Sequence, residues 1–141
     1  MKYTSEVTAT NKQHYEVEAT ADGFSYTLDF PERAEEAKGT SPTTLLLVAL
    51  AGCHVMTAAS YFSMNNHTYQ GLSAHVSGEF ARVDGQWQVE ATVTLKVKVT
   101  LDDNEKETLY HFVKKNCRVG SILENGTNTV ELTILVEEEA S

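Results

Sequence analysis

Positive charge is scarce in this chain. Lysine and arginine number 11 against 20 aspartates and glutamates, for a formal net charge of −9, and no arginine precedes Arg33. A nucleic-acid footprint needs clustered cations, and so does attraction to an anionic bilayer surface. Neither nucleic acid nor membrane is therefore an expected partner. The N-terminal stretch MKYTSEVTATNKQ lacks the apolar core of a signal peptide. The longest unbroken apolar run covers residues 45–51 and falls well short of the roughly 18 residues of a membrane span, so a cytoplasmic location is expected by default. Cysteine is nearly absent too: only Cys53 and Cys117 occur, too few to staple a small secreted scaffold. No CxxC pair is present for zinc, the histidines lack ligand spacing, and GTSPTT lacks the glycine and lysine spacing of a phosphate loop. Neither a metal nor another cofactor is expected.

What is present is hydrophobic pattern. Apolar residues make up 41% of 141 residues, ordinary for one globular domain with a real core. Tyr3, Ser5, Val7 and Ala9 alternate with polar residues, as do Tyr15, Val17 and Ala19, and then Phe24, Tyr26, Leu28 and Phe30. Period two predicts three half-buried strands, with turns at TNK and ADG. Pro31 ends the third strand, and ERAEEAKGTS reads as an exposed connection. Ser41-Pro42 is a helix start, with serine at the N-cap and proline at the first helical position. From there to about Phe62 the chain is apolar nearly all round, which predicts a central, buried helix. A fourth strand over residues 72–82 turns at VDGQ into the strictly alternating run Trp87, Val89, Ala91, Val93, Leu95, Val97, Val99. Asp102 or Asp103 can cap the next helix, which either runs on or breaks at Asn116 into a short second one. Val130, Leu132, Ile134 and Val136 form a last strand, and residues 137–141 an acidic, frayed tail. The order βββ-α-ββ-αα-β, built from antiparallel hairpins, is an α+β fold in a single domain, 1–141.

The two thiols are the candidate chemistry. Buried cysteine often serves as a small hydrophobe, and two of them on apolar helix faces can equally be a redox pair. In the second case a thiolate attacks a peroxide O–O bond, and another thiol condenses with the sulfenic acid. Burial raises a thiol's pKa, so a cation or a helix N-terminus must offset it. Arg118 and a helix start at Asn116 are candidates near Cys117. Near Cys53 only His54 is adjacent, and neighbours on a helix point in different directions.

GTSPTTLLLVALAGCHVMTAASYF resembles the central-helix motif G-x-[SN]-P-x-x-L-L-x-x-A-L-A-x-C of the OsmC/Ohr family, and KKNCRVGSIL resembles its second cysteine motif in the OsmC-like branch. The resemblance covers nearly the whole chain. It implies antiparallel sheets around a buried central helix in an intertwined homodimer, with sites at the subunit interface. It implies a peroxidatic Cys53, a resolving Cys117, organic hydroperoxide as substrate, and a dithiol reductant such as a lipoylated protein. The chain departs from the family in the groups that poise the cysteine. The N-terminal strands carry Lys12 and His14 where an arginine is usual, and Thr43 and Thr44 follow Pro42 where a glutamate is usual. Arg82 is the candidate substitute cation. The alternative function on the same fold is a non-catalytic or redox-sensing protein that binds an apolar small molecule at the dimer interface.

Overall fold

A computed structural model describes residues 1–33 and 36–138. Part of the expected connection (residues 34 and 35) and most of the acidic tail (139–141) lie outside the described residues. The chain forms two compact units, Met1–Leu46 and Leu47–Ser141, and the boundary falls inside the first helix.

The first unit is a three-stranded antiparallel sheet in the order β1 (Thr8–Gln13), β2 (Glu16–Ala21), β3 (Phe24–Leu28). The second turn lies where the sequence puts it: Asp22 and Gly23 take φ of 53° and 81°, the paired positive values that suit Asp-Gly. The first does not. The expected TNK turn is part of β1, and the chain reverses at His14–Tyr15 instead, with His14 at φ 53°. Asn11 explains the shift. Its side-chain amide donates to the carbonyls of His14 and Glu16 at 2.9 and 3.1 Å, closing the turn from within a strand whose register slips between Asn11 and Gln13. Residues 1–7 are not in a strand. After β3, Asp29 organises the connection. Its carboxylate accepts the N–H groups of Phe30 and Lys38 at 2.7 and 2.9 Å, and these bonds hold its pKa below the usual value. Gly39 passes so close to the Thr27 carbonyl that a Cβ would collide with it.

The second unit holds the core. Helix α1 (Pro42–Met64) begins in the first unit, with the Ser41 hydroxyl accepting the Thr44 N–H. Strands β4 (Gln70–Val83) and β5 (Gln86–Lys98) form a long antiparallel hairpin around Asp84 and Gly85, both at positive φ. The alternation of β5 is borne out: Val89, Ala91, Val93, Leu95 and Val97 are all buried on one face. They share one cluster with Leu50, Ala58, Tyr61 and Phe62 of α1. Leu47 lies against Gly78 of β4, where a Cβ would stand 2.8 Å from its methyl group. Helices α2 (Asp103–Asn116) and α3 (Arg118–Glu124) then lead to β6 (Thr129–Glu137).

Strand β6 pairs with β5 in parallel, Val93 opposite Leu132, so this sheet is mixed where antiparallel pairing alone was expected. A parallel strand needs a crossover of a dozen or more residues, and α2 with α3 supplies it. By length and composition α1 is sufficient to cross a bilayer, which corrects the expectation drawn from its unbroken apolar run. Its small and hydroxylated residues are counted in a 23-residue helix, whereas they interrupt a linear run. Its buried apolar side chains belong to the core cluster shared with β5. Burial is one-sided in the single chain: Leu50, His54, Ala58, Tyr61 and Phe62 are buried, while Val48 and Met56 remain 55% and 75% exposed.

The start of α2 is a full capping box. Asp102 Oδ1 accepts the Glu105 N–H at 2.7 Å, and Glu105 Oε1 accepts the Asp102 N–H at 3.1 Å. Asp102→Ala should cost about 1 kcal/mol, read as a lower urea midpoint at unchanged slope.

Candidate functional site

The site begins with the register of α1. Leu50, His54 and Ala58 recur every four residues and are all buried, so His54 occupies an apolar stripe while Cys53, one position earlier, is only partly buried. An imidazole in that place needs polar partners, since an unpaired buried polar group is costly. Its Nδ1 lies 2.9 Å from the Leu50 carbonyl, one turn back on the same helix. The same nitrogen lies 3.4 Å from the Cys117 sulfur. Burial holds the His54 pKa below its usual value, so the ring is neutral at pH 7.

Cys117 reaches this point because α2 ends there. Of the two alternatives the sequence left open, the chain breaks, one residue later than Asn116. Cys117 is extended, with φ −72° and ψ 107°, and is at once the C-cap of α2 and the N-cap of α3. Its sulfur faces inward, and the residue is 1% exposed. Burial pushes the Cys117 thiol up to about 12, and the nearby Cys53 thiol pushes it the same way. The N–H groups of Gly120 and Val119 act in the opposite direction without prevailing. Gly120 lines the sulfur closely: a Cβ there would lie 3.4 Å from Cys117 Sγ and 3.5 Å from His54 Cε1.

The junction is clamped from one side by Lys114. Its ammonium donates to Glu124 Oε1 of α3 and to the Val130 carbonyl of β6, each at 2.8 Å. Both charges are felt at His54, the lysine lowering its pKa and the glutamate raising it.

The structure thus brings Cys53 and Cys117 together, and both are free thiols. Arg82 is exposed, opposite Trp87 near the end of the β4–β5 hairpin, and Arg118 is exposed at the first position of α3. His54 is the residue that the reading of the sequence missed. Its adjacency to Cys53 was set aside because helix neighbours point in different directions, and the four-residue stripe Leu50–His54–Ala58 is the signal that places it in the core. The other histidines lie elsewhere: His67 pairs with Glu105 at 3.0 Å, His111 lies 3.7 Å from Glu107, His75 is exposed on β4, and His14 is in the first turn. Among the described residues no three His, Cys, Asp or Glu side chains converge as a metal set.

The unequal burial of the two sulfurs has a direct consequence. At pH 7.5, iodoacetamide should label Cys53 in the folded protein and leave Cys117 unmodified until denaturant is added. Mass mapping of the labelled peptides checks this, and equal native labelling of both would contradict the described burial.

The comparisons with known proteins agree with this architecture. Residues 35–133 match the family model described as OsmC-like protein. No curated protein matches the sequence. Among solved structures, an OsmC-like protein from Mycoplasma pneumoniae superposes with a TM-score of 0.86 at 24% identity, over 97% of this chain and 99% of that one. An organic hydroperoxide resistance protein OsmC from Legionella pneumophila gives 0.69 at 22% identity, over 95% and 98%. The organic hydroperoxide resistance protein OhrB of Bacillus subtilis gives 0.64 at 23% identity, over 94% and 98%. With more than half of its length matched by the family model and the α+β fold shared along nearly the whole chain, the protein belongs to the OsmC-like family.

Proposed function

We propose that the protein is a thiol-dependent peroxidase that reduces organic hydroperoxides. The observation that supports this most directly is the pairing of one partly accessible thiol, Cys53, with one walled-off thiol, Cys117. A hydroperoxide meets the accessible sulfur first. The Cys53 thiolate attacks the distal oxygen, the O–O bond breaks, and the alcohol leaves with a proton. The sulfenic acid then condenses with Cys117, forming a disulfide and releasing water before further oxidation can occur. A dithiol reduces that disulfide, which suits a reducing compartment such as the cytoplasm. The names of the Legionella and Bacillus proteins on the same fold point to the same substrate class. Apolar neighbours on α1 suit a greasy hydroperoxide.

The active species in this proposal is a homodimer. Phe24 and Tyr26 of β3, and Val48 and Met56 of α1, are exposed in the single chain. Only Ala19 and Asp29 are buried among the described residues of the first unit, apart from the helix residues. An isolated three-stranded sheet with so little core is marginal, and a second copy is the simplest cover. That copy is also the source from which a cation could reach Cys53. The exposed apolar face of α1 favours one further reading, an apolar ligand held at the interface with passive thiols. Native mass spectrometry showing a copurified lipid-like molecule would support it.

Two measurements test the proposal. With a dithiol as reductant, the wild type should consume cumene or tert-butyl hydroperoxide, and Cys53→Ser should reduce consumption to the buffer background. Cys117→Ser should retain the first oxidation and turn over only with a small external thiol. Indifference to Cys53→Ser would remove the peroxidase reading. Separately, sedimentation should give twice the chain mass, and Met56→Glu should shift the protein towards monomer.

A further inference from the structure

We infer that Lys114 is the positioning residue of the Cys117 thiol: by tying the end of α2 to α3 and to β6, it holds the chain break at Cys117 in the arrangement from which the sulfur closes onto Cys53. The inference deepens the proposed function, and rests on its reading of Cys117 as the resolving thiol.

Disulfide closure is geometrically demanding. The S–S bond is about 2.05 Å long with a dihedral near about 90°, and a displacement of about 1 Å can cost a large part of a rate. Cys117 stands where the chain has most freedom to pivot. It is the single residue between α2 and α3, with extended backbone at φ −72° and ψ 107°. Its N–H donates to the Val113 carbonyl of α2 at 3.0 Å, and its carbonyl accepts the Ser121 N–H of α3 at 2.9 Å. Both bonds run through one residue, so they leave α3 free to swing about it. With seven residues, α3 is too short to hold its place by itself.

Lys114 removes that freedom. It lies in the last turn of α2, and its ammonium donates to Glu124 Oε1 and to the Val130 carbonyl, each at 2.8 Å. Glu124 is the last residue of α3, so that helix is fixed at one end by the Cys117 backbone and at the other by the ammonium. Val130 is buried in β6 opposite Ala91 of β5, which anchors the bridge to the sheet. Both charged side chains are partly buried, so salt and water screen the pair less than they screen an exposed one.

A lysine beside a thiol can also act by lending positive charge to a forming thiolate. Glu124 separates the two roles. Its carboxylate completes the clamp but offsets the charge, so its removal weakens a clamp and strengthens a charge effect.

The step that the clamp serves balances with the hydroperoxide as the only oxidant. The Cys117 S–H bond breaks and its sulfur bonds to the Cys53 sulfur. The S–O bond of the Cys53 sulfenic acid breaks, and the hydroxyl leaves with the proton as water. The Cys53 sulfur is reduced and the Cys117 sulfur is oxidised.

The test follows closure without a peroxide. The full-length protein is mixed with excess dithiobis(nitrobenzoate). Cys53 releases a first equivalent of thionitrobenzoate and becomes a mixed disulfide, and Cys117 then displaces the second. The ratio of second-phase to first-phase rate constants isolates closure from the accessibility of Cys53. In Lys114→Met the ratio should fall by about tenfold. In Glu124→Ala it should fall by less, since the Val130 carbonyl still holds the ammonium. An unchanged ratio in Lys114→Met, or a raised one in Glu124→Ala, overturns the inference. Should Lys114→Met fail to fold, Glu124→Ala decides alone, and only a lowered ratio upholds the clamp.

The redox equilibrium is a second readout, which a loss of global stability does not move by itself. In glutathione buffers the Cys53–Cys117 disulfide of Lys114→Met should be reduced about tenfold more readily, or about 30 mV for this two-electron couple. Urea unfolding records any global cost separately, and an unshifted equilibrium overturns the inference. Two-phase release in a protein that does not consume hydroperoxide would remove the peroxidase reading and leave Lys114 in its role. Release of only the first equivalent by the wild type would remove Lys114 from it, whatever the hydroperoxide result.

Discussion

The contact between His54 and Cys117 inside an apolar core is the constraint around which the second unit is arranged. The ring donates from Nδ1 to the Leu50 carbonyl of its own helix at 2.9 Å, which spares it the cost of some 1–3 kcal/mol that an unpaired buried polar group carries. Together His54 and Cys117 join α1 to the α2–α3 junction through one contact of 3.4 Å. The requirement then spreads. Helix α2 must stop where the Cys117 sulfur can turn inward, so the chain is extended at that residue. The Lys114 clamp fixes α2, α3 and β6 at the same corner. The parallel placement of β6 follows from the two helices that precede it.

Most of the fold was legible because its signals are local. Strand β5 alternates without a fault, and each alternate residue from Val89 to Val97 is buried. Asp-Gly marks two of the tight turns, Asp22-Gly23 and Asp84-Gly85, where both residues take positive φ. Asp102 with Glu105 spells a capping box in the sequence and forms one in the structure. Where a local signal misled, a longer contact had intervened. The Asn11 side chain spends its amide on the carbonyls of His14 and Glu16, so a residue that ordinarily marks a turn closes one from inside the strand.

The site was legible only in halves. Two cysteines on apolar helix faces can be placed from periodicity, and their meeting cannot, since 63 positions separate Cys117 from the stripe that holds His54. Strand direction in β6 is equally silent, because alternation is the same in parallel and antiparallel pairs. His54 was set aside as a partner of Cys53, since neighbours on a helix point in different directions, and its four-residue spacing from Leu50 and Ala58, which places it among core residues, was not followed.

The chemistry follows from the same burial that shapes the fold. A thiol that burial pushes up to about 12 stays protonated at pH 7. Such a sulfur is protected from stray oxidants, which react with thiolates. It is also, when ionised, a stronger nucleophile than an acidic thiolate. Burial thus holds Cys117 in its protonated form. Cys53 lies in the opposite situation, partly open on the helix that carries His54. One helix, by offsetting two adjacent residues by a single helical step, presents an accessible sulfur on one side and a buried imidazole to the other sulfur. In the proposed reaction the division of labour between the two thiols follows from where each one sits, one partly open and the other buried.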